Sequence, residues 1–196
     1  MIPVNLLFDF GAVARQYKKG SFIINEGAAA RFYFQLVSGE VKMCNTGDDG
    51  QEFIQGLFRE GDSFGEPPLF LDKSYPASAI AITDCEIMVL EKSKLLLLLL
   101  ENFDMQVKLL QTLSKRLYFK TMMSKEITLH DAGHRIITLI DFMKKQDGIK
   151  DAPYAVTLTR QQVADLTGLR VETVIRTMKH LVEKKQLQQK GRKIYR

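Results

Sequence analysis

A chain of 196 residues, 45% hydrophobic and 26% charged, has the make-up of a globular protein of one or two domains and not of a disordered, collagenous or membrane-embedded one. Two cysteines far apart, Cys44 and Cys85, exclude a disulfide framework and a CxxC zinc site, and the start MIPVNLLFDFGAVARQ lacks the basic and apolar regions of a secretory signal. The net charge of +5 is uneven: residues 150–196 hold 11 Lys+Arg against 4 Asp+Glu, a net of +7, and the remainder nets −2, so a polyanionic partner is expected for the last quarter only.

From about residue 17 to 91 the chain reads as short strands: FIIN (22–25), FYFQLV (32–37), EVKMCN (40–45), EFIQGLF (52–58) and CEIMVL (85–90). They are rich in β-branched and aromatic residues and alternate with the turn signals KKGS, NEG, VSGE, TGDDG and REGD. Many short strands at near-regular spacing predict a barrel or jelly roll. Cys44 and Cys85 fall within strands and are expected as inert core thiols, which suits a reducing cytoplasm.

After Glu91 the character changes. KSKLLLLLLENF predicts a short buried helix with Ser93 as its N-cap; the six leucines are too few to span a bilayer. No Pro or Gly occurs from residue 102 to 130, and Phe103, Val107, Leu110, Leu113 and Leu117 form an apolar stripe at helical spacing. The stripe turns polar near Lys120, Thr121 and Ser124. A helix this long needs a partner surface. Pairing with a second copy through Leu110, Leu113 and Leu117 is expected, and packing on its own barrel is the alternative. HDAGHR (130–135) marks a hinge at which Asp131 caps a helix over about 132–145, with His130 and His134 in an expected structural role. QDGIKDAP is a loop.

The last segment carries the chemistry. Thr159 and Gln162 have capping-box spacing, Val163 and Leu166 are expected to face inward, and Gly168 suits a sharp turn. In the next helix Val174, Met178 and Leu181 fall on one face; Glu172, Ile175, Arg176 and Lys179 fall on the other. KQLQQKGRKIYR reads as two short strands about Lys190, Gly191 and Arg192. Together these predict a winged helix-turn-helix. A carboxylate gains nothing from phosphates, but in the major groove Glu172 can accept a hydrogen bond from cytosine N4. Arg176 can fork to guanine O6 and N7, and Ile175 suits a thymine methyl. The alternative is an ordinary Glu172–Arg176 pair on a solvated helix, worth roughly a few tenths of a kcal/mol. The capping box, glycine turn, wing and basic tail favour DNA reading.

These segments resemble the Crp/Fnr superfamily of bacterial transcription regulators. LTRQQVADLTGLRVETVIR is similar to its DNA-reading motif, and GDSFGEPPLFLDKSYPASAIA (61–81) to its ligand-binding cassette. The resemblance implies an α+β protein: a β jelly-roll, cupin-like and cyclic-nucleotide-binding-like sensor at 1–101, a dimerisation helix at 102–130 and a winged helix-turn-helix DNA-binding domain at 131–196, hinged at Asp131. It implies base reading by Glu172 and Arg176, with Val171 and Ile175 as apolar contacts and Arg160, Gln161, Thr173, Lys179 and Lys190 on phosphates. Arg170 stands where a small capping residue is common. Val-Glu-Thr followed by Arg is nearer the Fnr branch and implies half-sites containing TGA.

The resemblance also implies an effector pocket of Phe64, Gly65, Glu66, Ala77, Ser78, Lys120 and Thr121. In members that bind cyclic AMP, a cassette Glu holds the ribose hydroxyl and an Arg-Ser pair holds the cyclic phosphate. Glu66 and Ser78 stand at two of those positions, but Ala77 stands at the Arg position, so classical cyclic AMP binding is not expected and the effector stays open. A four-cysteine iron–sulfur cluster is excluded by count. The expected protein is a homodimeric cytoplasmic regulator, not an enzyme, that binds pseudo-palindromic double-stranded DNA and touches RNA polymerase, with no membrane and no metal. A metal-dependent cupin would need ligands inside the β region, and His130, His134 and His180 lie outside it. A ligand-binding module that acts on a protein partner without reading DNA is the remaining alternative, and the helix-turn-helix argues against it.

Overall fold

The computed structural model describes residues 2–47, 52–150 and 152–196. Most of the TGDDG turn and Asp151 of the QDGIKDAP loop lie outside those residues. The chain divides into two compact units, Met1–Lys115 and Arg116–Arg196.

The first unit runs α1 (Val4–Asp9), β1 (Val13–Tyr17), β2 (Phe22–Ile24), β3 (Phe32–Ser38), β4 (Val41–Thr46), β5 (Glu52–Phe58), β6 (Ser63–Phe64), α2 (Glu66–Leu71), β7 (Ser78–Ala81), β8 (Cys85–Glu91), α3 (Lys92–Glu101) and the start of α4 (Phe103–Leu129). Its strands form two four-stranded antiparallel sheets, in the orders β1-β8-β3-β6 and β2-β7-β4-β5. Side chains alternate across a strand, which explains the unbroken apolar run Ile87–Leu90 of β8. Ile87 and Val89 join Phe34, Leu36, Val41, Met43 and Ala79 in the core that both sheets supply. Met88 and Leu90 join a second core with Tyr33, Leu7 of α1, Leu95 and Leu98 of α3, and Met105 and Leu109 of α4. A strand buried on both faces reads as a continuous apolar run.

Several details differ from expectation. β1, β6, α1 and α2 carry no strong sequence signal, since each is short or largely exposed. Ser93 is not the N-cap of α3: Glu91 is, and it makes no side-chain cap bond. The leucine run is only half buried. At 3.6 residues per turn six consecutive positions cover every side of a helix, so Leu95, Leu98 and Leu99 are buried while Leu96, Leu97 and Leu100 are exposed. The stripe of α4 splits as well. Leu113 packs partly against its own unit's core behind Met105 and Leu109, whereas Leu110 is 64% exposed and Leu117 67%. No helix among the described residues is long and apolar enough to cross a membrane.

The second unit holds the rest of α4, then α5 (Ala132–Gln146), α6 (Arg160–Thr167), α7 (Val171–Glu183), β9 (Gln188–Lys190) and β10 (Lys193–Tyr195). Asp131 caps α5, its carboxylate accepting from the His134 amide at 2.8 Å. That bond is the main reason its carboxyl lies below the usual range. The Thr159–Gln162 capping box forms with both reciprocal bonds, and Gly168 closes α6 at φ 66. Leu166 is only half buried; Val163, Ala164 and Thr167 fill the inward side of α6. The Thr167 hydroxyl donates to the Val163 carbonyl at 2.6 Å, which lets a polar residue sit there. β9 and β10 pair antiparallel, and backbone bonds between Tyr154 and Arg196 add a third edge. The Arg196 guanidinium forks onto Asp141 of α5 at 2.7 and 2.8 Å, tying the wing to the helices.

Candidate nucleic-acid interface and sensor pocket

The helix-turn-helix positions its outer face through what it buries. Val174, Met178 and Leu181 are 0%, 1% and 4% exposed, and burying each favours this orientation of α7 by about 1.5–3 kcal/mol. The opposite side of a helix must then meet solvent. There stand Glu172, Ile175, Arg176 and Lys179, all exposed, with Val171 and Thr173 half-buried at the edge. Among the described residues neither Glu172 nor Arg176 takes part in an ion pair, so the Glu172–Arg176 pair of the alternative reading does not form. Arg170 is the N-cap of α7 with an extended backbone and no side-chain cap bond; a guanidinium has no acceptor with which to cap amides.

The other candidate phosphate contacts come from α6 and the wing. Arg160 begins α6 and is half-buried. Gln161 donates its amide to Asp165 at 2.8 Å, so part of its hydrogen-bonding capacity is used inside the motif. Lys190 lies at the tip of the wing, 5.7 Å from the centre of the Tyr195 ring. Arg192 and Lys193 are exposed beside it, two cations omitted from the candidate phosphate contacts although the +7 tail contains them.

In the barrel the structure brings Phe64 and Ala77 together and sets Gly65 and Glu66 beside them. Phe64 stacks on Phe34 at 5.4 Å. Gly65 has φ 79, a conformation that favours glycine, and a Cβ there would make a tight 3.1 Å contact with the Tyr75 ring. Glu66 is fully buried and accepts from the Ser63 hydroxyl. Burial, reinforced by the nearby Glu66 carboxylate, pushes the Tyr75 phenol up to about 12. Ala77 is fully buried in the same core cluster as Phe34, Phe64, Tyr75 and Ala79. Ser78 accepts the Glu26 amide at 3.0 Å. Lys120 and Thr121 lie exposed on α4 in the second unit, where the Thr121 hydroxyl donates to the Leu117 carbonyl at 3.0 Å. Cys44 and Cys85 are buried free thiols, and Cys85 donates to the Thr83 and Glu40 carbonyls.

A further cluster sits where α4 meets α5. Glu126 is 7% exposed. His134 Nε2 lies 3.0 Å from its Oε2 and His130 Nε2 4.0 Å from the same atom. The two imidazoles stack with centroids 4.1 Å apart. Glu126 went unnoticed in the sequence, although its spacing of four residues to His130 and four more to His134 was the available signal.

Comparison with known proteins matches residues 14–102 to the cyclic nucleotide-binding domain and residues 134–195 to the Crp-like helix-turn-helix domain. The chain is 28% identical over 182 residues to the cAMP-activated global transcriptional regulator CRP of Pasteurella multocida, covering 91% of this chain and 87% of that one. It is 27% identical over 184 residues to the cAMP-activated global transcriptional regulator Vfr of Pseudomonas aeruginosa, covering 91% and 86%. Among solved structures, the c-di-GMP responsive global regulator CLP of Xanthomonas campestris shares the fold with a TM-score of 0.73 at 23% identity, over 96% of this chain and 95% of that one. The relatives are regulators and not enzymes, and the two matched domains take up most of the chain in the same order as its two units. The chain belongs to the Crp/Fnr superfamily: it is a transcription regulator with a cyclic-nucleotide-binding-type barrel and a Crp-like helix-turn-helix DNA-binding domain.

Proposed function

We propose that the protein works as a homodimer whose two α7 helices read a pseudo-palindromic duplex, Glu172 and Arg176 selecting bases and Val171 and Ile175 contributing apolar contacts. The observation that carries this is the outward set Glu172, Ile175, Arg176 and Lys179 on a helix whose other side is fully packed. Arg160, Gln161, Thr173, Lys179 and Lys190 hold phosphates and fix the register. The division at 1–101, 102–130 and 131–196 assigns sensing, dimerisation and DNA reading, with Asp131 as the hinge. Leu110 and Leu117 supply the seam between copies, Leu113 being engaged with its own barrel. The regulator works in the cytoplasm and contacts RNA polymerase from the bound site.

The test is equilibrium binding to a palindromic duplex with TGA half-sites and to its scrambled counterpart across a range of salt. Affinity for both should fall linearly on a log–log plot, with the palindrome preferred throughout. Equal affinity for both duplexes at every salt concentration would overturn base reading by α7.

The sensor is proposed to take an effector other than cyclic AMP, or to run without one. The curated relatives described above are named as cAMP-activated. In this chain the position expected to hold the cyclic phosphate is Ala77, fully buried among apolar and aromatic side chains. A buried anion without a partner is costly. Glu66 is held by Ser63 and Ser78 by the Glu26 backbone, which fits structural roles for both.

A further inference from the structure

We propose that Glu126, His130 and His134 form a binding site for a divalent transition-metal ion of the zinc class at the junction of α4 and α5. The donor set is one carboxylate and two imidazoles, with both Nε2 atoms turned toward the same carboxylate oxygen, at 3.0 and 4.0 Å. All three ligand atoms lie within 4.8 Å of one another. Zinc takes histidine nitrogen and carboxylate oxygen at about 2.0–2.2 Å in tetrahedral sites, which places neighbouring ligand atoms about 3.3 Å apart. The His134 separation is shorter than that value and the His130 separation longer, so closing the site takes rotation of the imidazoles out of their stack. Three protein ligands leave a fourth position for water, and His134 is half exposed, which gives an entry path.

The buried carboxylate supplies the second reason. Glu126 is 7% exposed, and a carboxylate withdrawn from water needs a cation or donors. Its neighbouring donors are the two histidines and the Thr138 hydroxyl, the last at 3.5 Å. Arg135, close in sequence, turns away: its guanidinium donates to the His130 and Ile127 carbonyls at 3.0 and 2.6 Å and caps the end of α4. Asp131 is committed to the His134 amide. The groups that remain to face Glu126 are therefore the two imidazoles. The two imidazoles lie together, centroids 4.1 Å apart, so one ion can engage both rings and the carboxylate. Imidazole donors favour zinc, nickel or cobalt over calcium or magnesium, which prefer all-oxygen shells. The ion would staple the last turns of α4 to the first turn of α5 across the Asp131 cap.

The experiment uses the full chain, freed of metal by chelator dialysis and titrated with Zn2+ alone against a chromophoric competitor. One ion should bind per chain. His130→Gln, His134→Gln and Glu126→Gln should each weaken uptake by at least about tenfold, the scale that even supporting groups of a metal site command. His180→Gln, a histidine outside the cluster, should bind as the unmodified protein does. Zn2+ should also raise the thermal midpoint of the unmodified chain by mass action and leave that of His134→Gln unchanged. Absence of stoichiometric uptake, or uptake unaltered in His134→Gln, would overturn the site.

Discussion

Glu172 and Arg176 stand one turn apart on a face whose other members can serve phosphate or methyl groups, and this sets what each substitution should do. Arg176→Ala should cost about 1–3 kcal/mol on the cognate site and relax discrimination at one base pair. Lys190→Ala on the exposed wing should weaken all duplexes alike and flatten the salt slope by about one. Both are read from the same binding titrations, and equal effects of the two substitutions on cognate and scrambled DNA would contradict the assignment. Arg170 offers a separate test, since it occupies the N-cap of α7 without capping it. Arg170→Ser should stabilise the chain by about 1 kcal/mol in urea unfolding and leave discrimination at the Arg176 base pair unchanged; a loss of stability would mean that the guanidinium has a structural partner. At this scale the reading helix was legible from sequence because burial of Val174, Met178 and Leu181 at helical spacing fixes where every other side chain points. The spacing of Glu126 to His130 and His134 was legible, but its burial was not, because nothing in a helical repeat says that a polar residue near a helix end will be buried.

Among the elements, α4 is the one whose role depends most on what lies outside the chain. Met105 and Leu109 point into their own unit's core, while Phe103, Leu110 and Leu117 remain exposed. Phe103, Leu110 and Leu117 repeat at sevens, the spacing of a two-helix seam. Leu110→Asp should therefore place an unpaired charge in that seam, cost on the order of several kcal/mol and give monomers in sedimentation. A variant that still sediments as a dimer would show that another surface joins the copies. Leu113→Asp is a poorer probe, since it also damages the barrel side. The sequence marked the stripe but not its division, because Leu110 and Leu113 lie within one turn and only packing decides which of them the barrel claims. The strands show the same limit. β8 was visible as CEIMVL because it is buried on both faces, whereas β1, with four of its five residues exposed, has no apolar run to announce it.

For the molecule as a whole, charge and core composition point to different partners for the two units. The +7 tail belongs to the unit that carries the helix-turn-helix, while the barrel buries Ala77, and on the reading proposed above a cyclic phosphate at that position would need a bidentate cation. Removal of such a contact costs about 2–5 kcal/mol, tens- to thousands-fold in affinity. Calorimetry with cyclic AMP and cyclic GMP should accordingly show no micromolar binding, and micromolar heat with either would mean that another cation has taken the place of the arginine. The architecture was legible as a jelly roll followed by a winged helix-turn-helix because turn signals and helical stripes are local. An effector is chosen by a three-dimensional pocket, and local patterns do not specify it. The central claim, that two copies read DNA bases through α7, is tested most directly by selecting bound duplexes from a fully randomised library with the unmodified protein and with Arg176→Ala. The unmodified protein should enrich a two-fold symmetric site with half-sites one helical turn apart, and the variant should lose preference at one symmetric pair of positions. Enrichment of no symmetric site, or of the same site by both proteins, would contradict it.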